Sequence, residues 1–229
     1  MKLKQQKLSV PIKRKITERW ISAFPDFAVY KPMWLMKRNG PVLIGICLER
    51  FSSNDEYRPI THVHNLSRPT GFATLSIASQ ILDPTRRREM RLTAESSEQD
   101  IEVAIAQVKS QSTIPLTRKV LLNDILSAYR QYVTNAISSD GYPVFEYEDI
   151  VRLLTWCCKL GKARKMVEDI EVITRDWDPF VFRHVESREV YLRTLYHIVI
   201  NPSDSDKVIA DEIENLDAKS LPDYGLLCS

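Results

Sequence analysis

The sequence predicts an α+β protein: a small antiparallel meander sheet of three or four strands, packed by helices, ahead of a mainly helical C-terminal half. Two observations carry this. Residues 27–66 contain three apolar, β-prone runs joined by turn residues. The apolar residues after them recur mostly at helical spacing, so strands and helices are segregated rather than alternating as a doubly wound sheet requires.

Asn39-Gly40 is a dipeptide favoured in a tight type I′ hairpin turn, whose two central residues both take positive φ. It separates a run at 29–38 from one at 42–51. Pro32 marks the first run as an edge strand or the beginning of one. VLIGICL is apolar on both faces and reads as the central strand. A polar connection at 52–56 leads to the third run, 57–66, where Ile60, His62, His64 and Leu66 share one face.

Residues 1–11 read as a basic mobile arm. Ile12, Ile16, Trp20 and Phe24 then recur every four residues, which predicts an amphipathic helix able to cover the sheet, with Pro25 ending it. In GFATLSIASQIL, Phe72, Leu75, Ala78 and Leu82 have helical spacing, and strand alternation through Leu75 and Ile77 is the alternative. Residues 89–94 offer a short fourth strand. Ser96 and Gln99 have capping-box spacing and open a helix bearing Ile101, Ala104 and Val108. After Ile114-Pro115-Leu116 a longer helix carries Leu122, Ile125, Leu126, Tyr129 and Val133 on a broad apolar face.

Residues 138–143 read as the internal linker, dividing an α+β domain at 12–137 from a helical subdomain at 143–221 that could also be continuous with it. An αα-hairpin follows, with Gly161 expected at the C′ position of its first helix. Ser187 caps another helix, Val208, Ile209, Ile213 and Leu216 mark the last, and residues 222–229 read as a tail.

Composition excludes several classes. A chain of 229 residues has room for a substantial core, and 44% hydrophobic with 27% charged residues is ordinary for a globular protein. The net charge of +2 sets up no global field for nucleic acid, although six of the first fifteen residues are Lys or Arg. Adjacent Cys157-Cys158 on a helix and Cys47 in a strand do not read as a disulfide framework, so a reduced, cytoplasmic setting is expected. The basic N-terminus lacks the apolar stretch of a signal peptide, and no apolar run approaches the ~20 residues of a membrane span. Neither a Gly-rich phosphate loop nor a GxSxG elbow nor HExxH is present.

Four patterns remain as candidate sites. His62 and His64 project the same way from a strand and can share a metal, although ordinary buried or surface histidines are the plainer reading. Arg86, Arg87, Arg88 and Arg91 can grip phosphate or carboxylate, or form a solvated segment. Cys157-Cys158 reads as core packing ahead of redox chemistry. Glu168, Asp169 and Glu171, and later Asp211, Glu212 and Glu214, read as solvated helix faces.

LLTWCCKLGKARKMVEDIEVITRDWDP resembles one tetratricopeptide-type hairpin, with Leu160-Gly161 at its turn and Asp178-Pro179 at its end. The order of parts from the front helix through EQDIEVAIAQVKSQSTIPLTRKVLLNDILSAYRQ is similar to small bacterial α+β domains found among polymorphic-toxin immunity proteins. That resemblance spans roughly residues 12–175, carries over no functional residue, and departs from the acidic profile of many such proteins. Together with the absence of a catalytic motif, it points to a non-enzymatic protein that occludes a partner; no cofactor and no catalytic residue are expected. Nucleic-acid or phosphate binding through the basic arm and arginines, and metal-dependent catalysis at His62 and His64, are the alternatives. Another protein is the expected partner, nucleic acid the second, and the oligomeric state is left open.

Overall fold

The computed structural model describes residues 8–51, 55–85, 88–139 and 141–229. The basic arm through Lys7, and with it Arg86 and Arg87, lie outside the described residues. The fold is α+β: strands β1 (Ala28–Lys31), β2 (Trp34–Asn39), β3 (Val42–Arg50), β4 (Glu56–Asn65), β5 (Ser76–Gln80) and β6 (Leu92–Thr93), with helices α1 (Val10–Ile21), α2 (Glu98–Gln111), α3 (Leu122–Ser138), α4 (Val144–Trp156), α5 (Leu160–Ile173), α6 (Arg188–Ile200) and α7 (Asp204–Asn215). Two compact units divide the chain: Met1–His64 with Ala78–Val120 and Ser220–Gly225, and Asn65–Ile77 with Leu121–Lys219 and Leu226–Ser229.

The first unit is built on the sheet, ordered β1-β2-β3-β4-β5 with β6 on β4. It exceeds the expected three or four strands for two reasons. Pro32-Met33 turns the first apolar run back on itself, so β1 and β2 are separate strands joined through the pair Lys31↔Trp34. The stretch 71–82, expected as a helix, supplies β5 instead. The hairpin at Asn39-Gly40 is also shifted by one residue. Asn39 still pairs with Val42, leaving Gly40-Pro41 as the loop with Gly40 at φ 58. Glycine at the first loop position with proline after it suits a type II′ turn better than the expected I′.

β3 is buried from Val42 to Leu48, as its two-sided apolar pattern requires. α1 covers part of the sheet. Trp20 is fully buried and its Nε1 donates to the Tyr57 hydroxyl at 3.3 Å, while Thr17 Oγ1 accepts from Met33 N at 2.8 Å. α2 is capped one residue later than expected, by Ser97 with Asp100 in a reciprocal box. Its last residue, Gln111, clips the segment after β5 by bonding both Leu82 N (2.8 Å) and Leu82 O (2.9 Å).

The residues expected as a tail are a structural strap. Arg38 N donates to Pro222 O at 2.9 Å and Tyr224 N to Arg38 O at 3.0 Å, a parallel bridge on β2. The Arg38–Asp223 ion pair (2.8 Å) and the Asn39 amide, which donates to Gly225 O at 2.9 Å, fasten it further.

The second unit is helical. α4 is its centre: nine of its thirteen residues are buried, and it packs on α3, α5, α6 and α7. α4 ends in a Schellman turn, with Cys158 N bonded to Thr155 O and Lys159 N to Leu154 O, both at 2.9 Å. The left-handed C′ position belongs to Cys158 (φ 55) and not to Gly161, which lies in the first turn of α5. Here too the C-terminal residues are built in. Leu122 N donates to Leu227 O at 2.8 Å, and Cys228 forms a disulfide with Cys157, against the expectation of unpaired cysteines.

Candidate functional site: an aromatic pocket on the helical unit

The site grows outward from α4. Asp149 is fully buried and would be an isolated charge without partners. Arg68 grips both of its oxygens, Nε to Oδ1 at 2.8 Å and Nη2 to Oδ2 at 3.3 Å, and the Tyr129 hydroxyl donates to Oδ2 at 3.0 Å. Burial pushes the Asp149 carboxyl up, and the Arg68 charge and hydrogen bonds oppose it. One helical turn on, Arg152 bonds Glu148 (2.7 Å) and Ser67 O (2.7 Å). The segment 65–68 is thereby fixed to α4. Phe145 lies over the Arg68 guanidinium, 5.1 Å from ring centre to Cζ.

A chain of aromatic contacts fixes the neighbouring surface. Tyr191 donates to Val144 O at 2.7 Å and touches Phe182; Phe182 stacks on Trp177; Trp177 meets Tyr142 edge-on at 5.1 Å. Asp178 caps the short 3-10 turn Pro179–Phe182 by accepting from Phe180 N at 2.8 Å. That turn sends Phe182 into the core at 0% exposure and leaves Phe180 65% exposed. Arg183, just beyond, lies over the Phe180 ring at 4.0 Å and donates from Nε to His184 Nε2 at 3.0 Å.

The result is a cavity of about 470 Å³ lined by Tyr142, Val144, Phe145, Phe180, Arg183 and His184 among others. Tyr142 is 50% exposed and Phe145 39%. Rigid aromatics and an arginine around a concavity are the composition of protein-binding anchors. A wider groove of about 640 Å³ runs past Leu160, Arg164, Tyr196 and Ile200, but its one arginine already pairs with Glu168 at 3.7 Å.

The residues singled out from the sequence fall elsewhere. His62 and His64 are both fully buried in β4. The His62 ring meets Trp34 edge-on at 5.5 Å and occupies the space that a side chain at Gly45 would fill. Among the described residues no group of three or more His, Cys, Asp or Glu has the arrangement of a metal site. Arg88 is exposed. Arg91 sits over Phe51 and approaches Glu56 and Glu89 at 3.4 Å each, while Arg58 pairs with Glu49 and Glu89. That stretch therefore mixes both signs of charge. Glu212, expected on a solvated face, is buried, and its Oε1 accepts from Thr70 N (3.1 Å), Thr70 Oγ1 (2.7 Å) and Gly71 N (2.9 Å). Burial raises its carboxyl, but these bonds prevail and hold it below its ordinary value.

The pocket was hidden because Tyr142 falls in the expected linker and Trp177 in the expected closing turn. Aromatics placed in Pro- and Gly-rich connectors, where no helical face requires them, were the available signal. No family model, curated protein or solved structure matches this chain. No helix among the described residues is long and apolar enough to cross a membrane.

Proposed function

We propose that this chain is a non-enzymatic protein-binding factor whose docking surface is the aromatic pocket on the helical unit. One observation carries the reading: Tyr142, Phe145 and Phe180 stand solvent-exposed around one concavity, positioned by half-buried Trp177, by buried Arg68 and by the Asp178 cap respectively. Water-exposed aromatics fixed in place lose little entropy on association and bury large area, which is how a few residues dominate an interface. Occlusion of a partner in the manner of an immunity protein is one form such binding takes. The Cys157–Cys228 disulfide supports an oxidising setting over the cytoplasmic one expected from cysteine spacing.

The test is affinity isolation followed by native mass spectrometry, comparing the natural chain with a Tyr142→Ala/Phe180→Ala variant. The expected result is a discrete added protein mass with the natural chain that the variant loses. A partner retained in full by the variant removes the pocket from the interface.

A further inference from the structure

The pocket is apolar except at one edge, and that edge carries the information about what enters. Arg183 is exposed, and among the described residues no carboxylate pairs with it. It is nevertheless not a loose side chain. The Phe180 face supports the guanidinium at 4.0 Å, and the Nε–His184 bond fixes its rotation at 3.0 Å. Nε is used, so the two terminal nitrogens are left as donors. Asp178, the acid in the lining, has Oδ1 committed to capping Phe180 N. An arginine oriented by stacking and one hydrogen bond, beside a cavity of about 470 Å³ with aromatic walls, has the complement of a carboxylate next to a large apolar group.

We infer that the pocket receives an apolar or aromatic side chain from a partner protein, with an Asp or Glu within a residue or two of it that pairs with Arg183. This rests on the docking surface proposed above and adds the chemistry of the segment that fills it. Charge complementarity decides between occupants. A basic segment would place its cations against Arg183, which no carboxylate among the described residues pairs with, although Asp178 in the lining keeps its charge while it caps Phe180 N; a wholly apolar one would bury the guanidinium edge unpaired.

The experiment pans the full-length chain against a phage-displayed library of random dodecapeptides. The expected consensus is Phe, Trp or Leu with a neighbouring Asp or Glu. A synthetic consensus peptide is then measured by fluorescence polarisation against three proteins: natural, Arg183→Gln and Phe180→Ala. Arg183→Gln is expected to weaken binding about ten-fold. Replacing the peptide's acid by its amide should weaken binding to the natural chain by a similar factor and leave Arg183→Gln unaffected, as a double-mutant cycle requires for a direct pair. A consensus with apolar residues but basic or no charged neighbours, lost on Phe180→Ala, overturns this inference and leaves the docking surface standing. Enrichment insensitive to both substitutions, or no enrichment at all, overturns both. Arg183 is exposed, so its substitution does not threaten the fold, and circular dichroism of each variant checks this.

Discussion

Asp149 shows how a single buried charge can organise its surroundings. Its stability depends on Arg68, whose removal would leave an enclosed carboxylate to which, among the described residues, only Tyr129 donates. Breaking such a pair is far more damaging than replacing it, because the surviving charge stays desolvated. Arg68→Met should therefore lose about 3–5 kcal/mol in urea unfolding. Arg68→Met with Asp149→Leu should recover most of that. Lys37 has the opposite problem. It is fully buried in β2, with Nζ on Thr117 O and 5.5 Å from the Phe27 ring centre. Burial lowers its pKa to about 8, only partly offset by Asp26. The unfolded chain then binds more protons than the folded one between pH 8 and 10.5, so this residue's contribution rises with pH across that window and is flat below it. Urea midpoints of the natural chain and Lys37→Met, measured from pH 7 to 10.5, should diverge in favour of lysine by up to about 3 kcal/mol. Every other titrating group is common to both proteins, so the difference isolates Lys37.

At the scale of elements, the turn between α4 and α5 holds a residue in a conformation that L side chains resist. Cys158 takes φ 55 to complete the Schellman turn, at a cost of roughly 1 kcal/mol that glycine would not incur. Cys158→Gly should raise thermal stability by about 0.5–1 kcal/mol, while Cys158→Ser, which keeps the Cβ, should not. This turn also shows what the sequence could disclose. Gly161 was the obvious candidate for a helix stop, and only the geometry of the turn shows that α4 ends earlier. β3 and the apolar faces of α3 to α7 were legible because burial on one or both sides writes itself as a local period. β5 was not, because Phe72, Leu75, Ala78 and Leu82 match helical spacing and the deciding interaction is its place beside β4. The pocket was illegible for a related reason. Tyr142 is anchored by Trp177 and Phe145 by Arg68, and neither pairing leaves a trace in nearby residues.

At the scale of the whole chain, the cysteines divide into three chemical classes. Cys157 and Cys228 are joined across 71 residues of sequence, Cys158 is exposed, and Cys47 is buried in β3 with its thiol pushed up to about 12 by burial. Native alkylation should label Cys158, a reductant should add Cys157 and Cys228, and Cys47 should react only on unfolding; mass spectrometry of the modified peptides reads all three steps. Closing a loop of that length removes about 4 kcal/mol of chain entropy from the unfolded state. Reduction should lower unfolding stability by up to that amount, and a Cys157→Ser/Cys228→Ser variant should be indifferent to reductant.

The strap has a consequence for how the protein is made. Asn39 finds its acceptor on Gly225, a separation of 186 residues, and the backbone of Arg38 waits for Pro222 and Tyr224. At 5–20 residues per second, roughly 10–40 s of translation separates the β2 edge from the residues that cover it. For that interval the nascent chain presents an open strand edge, and any occupant that reaches it first competes with residues of the same chain that are synthesised much later.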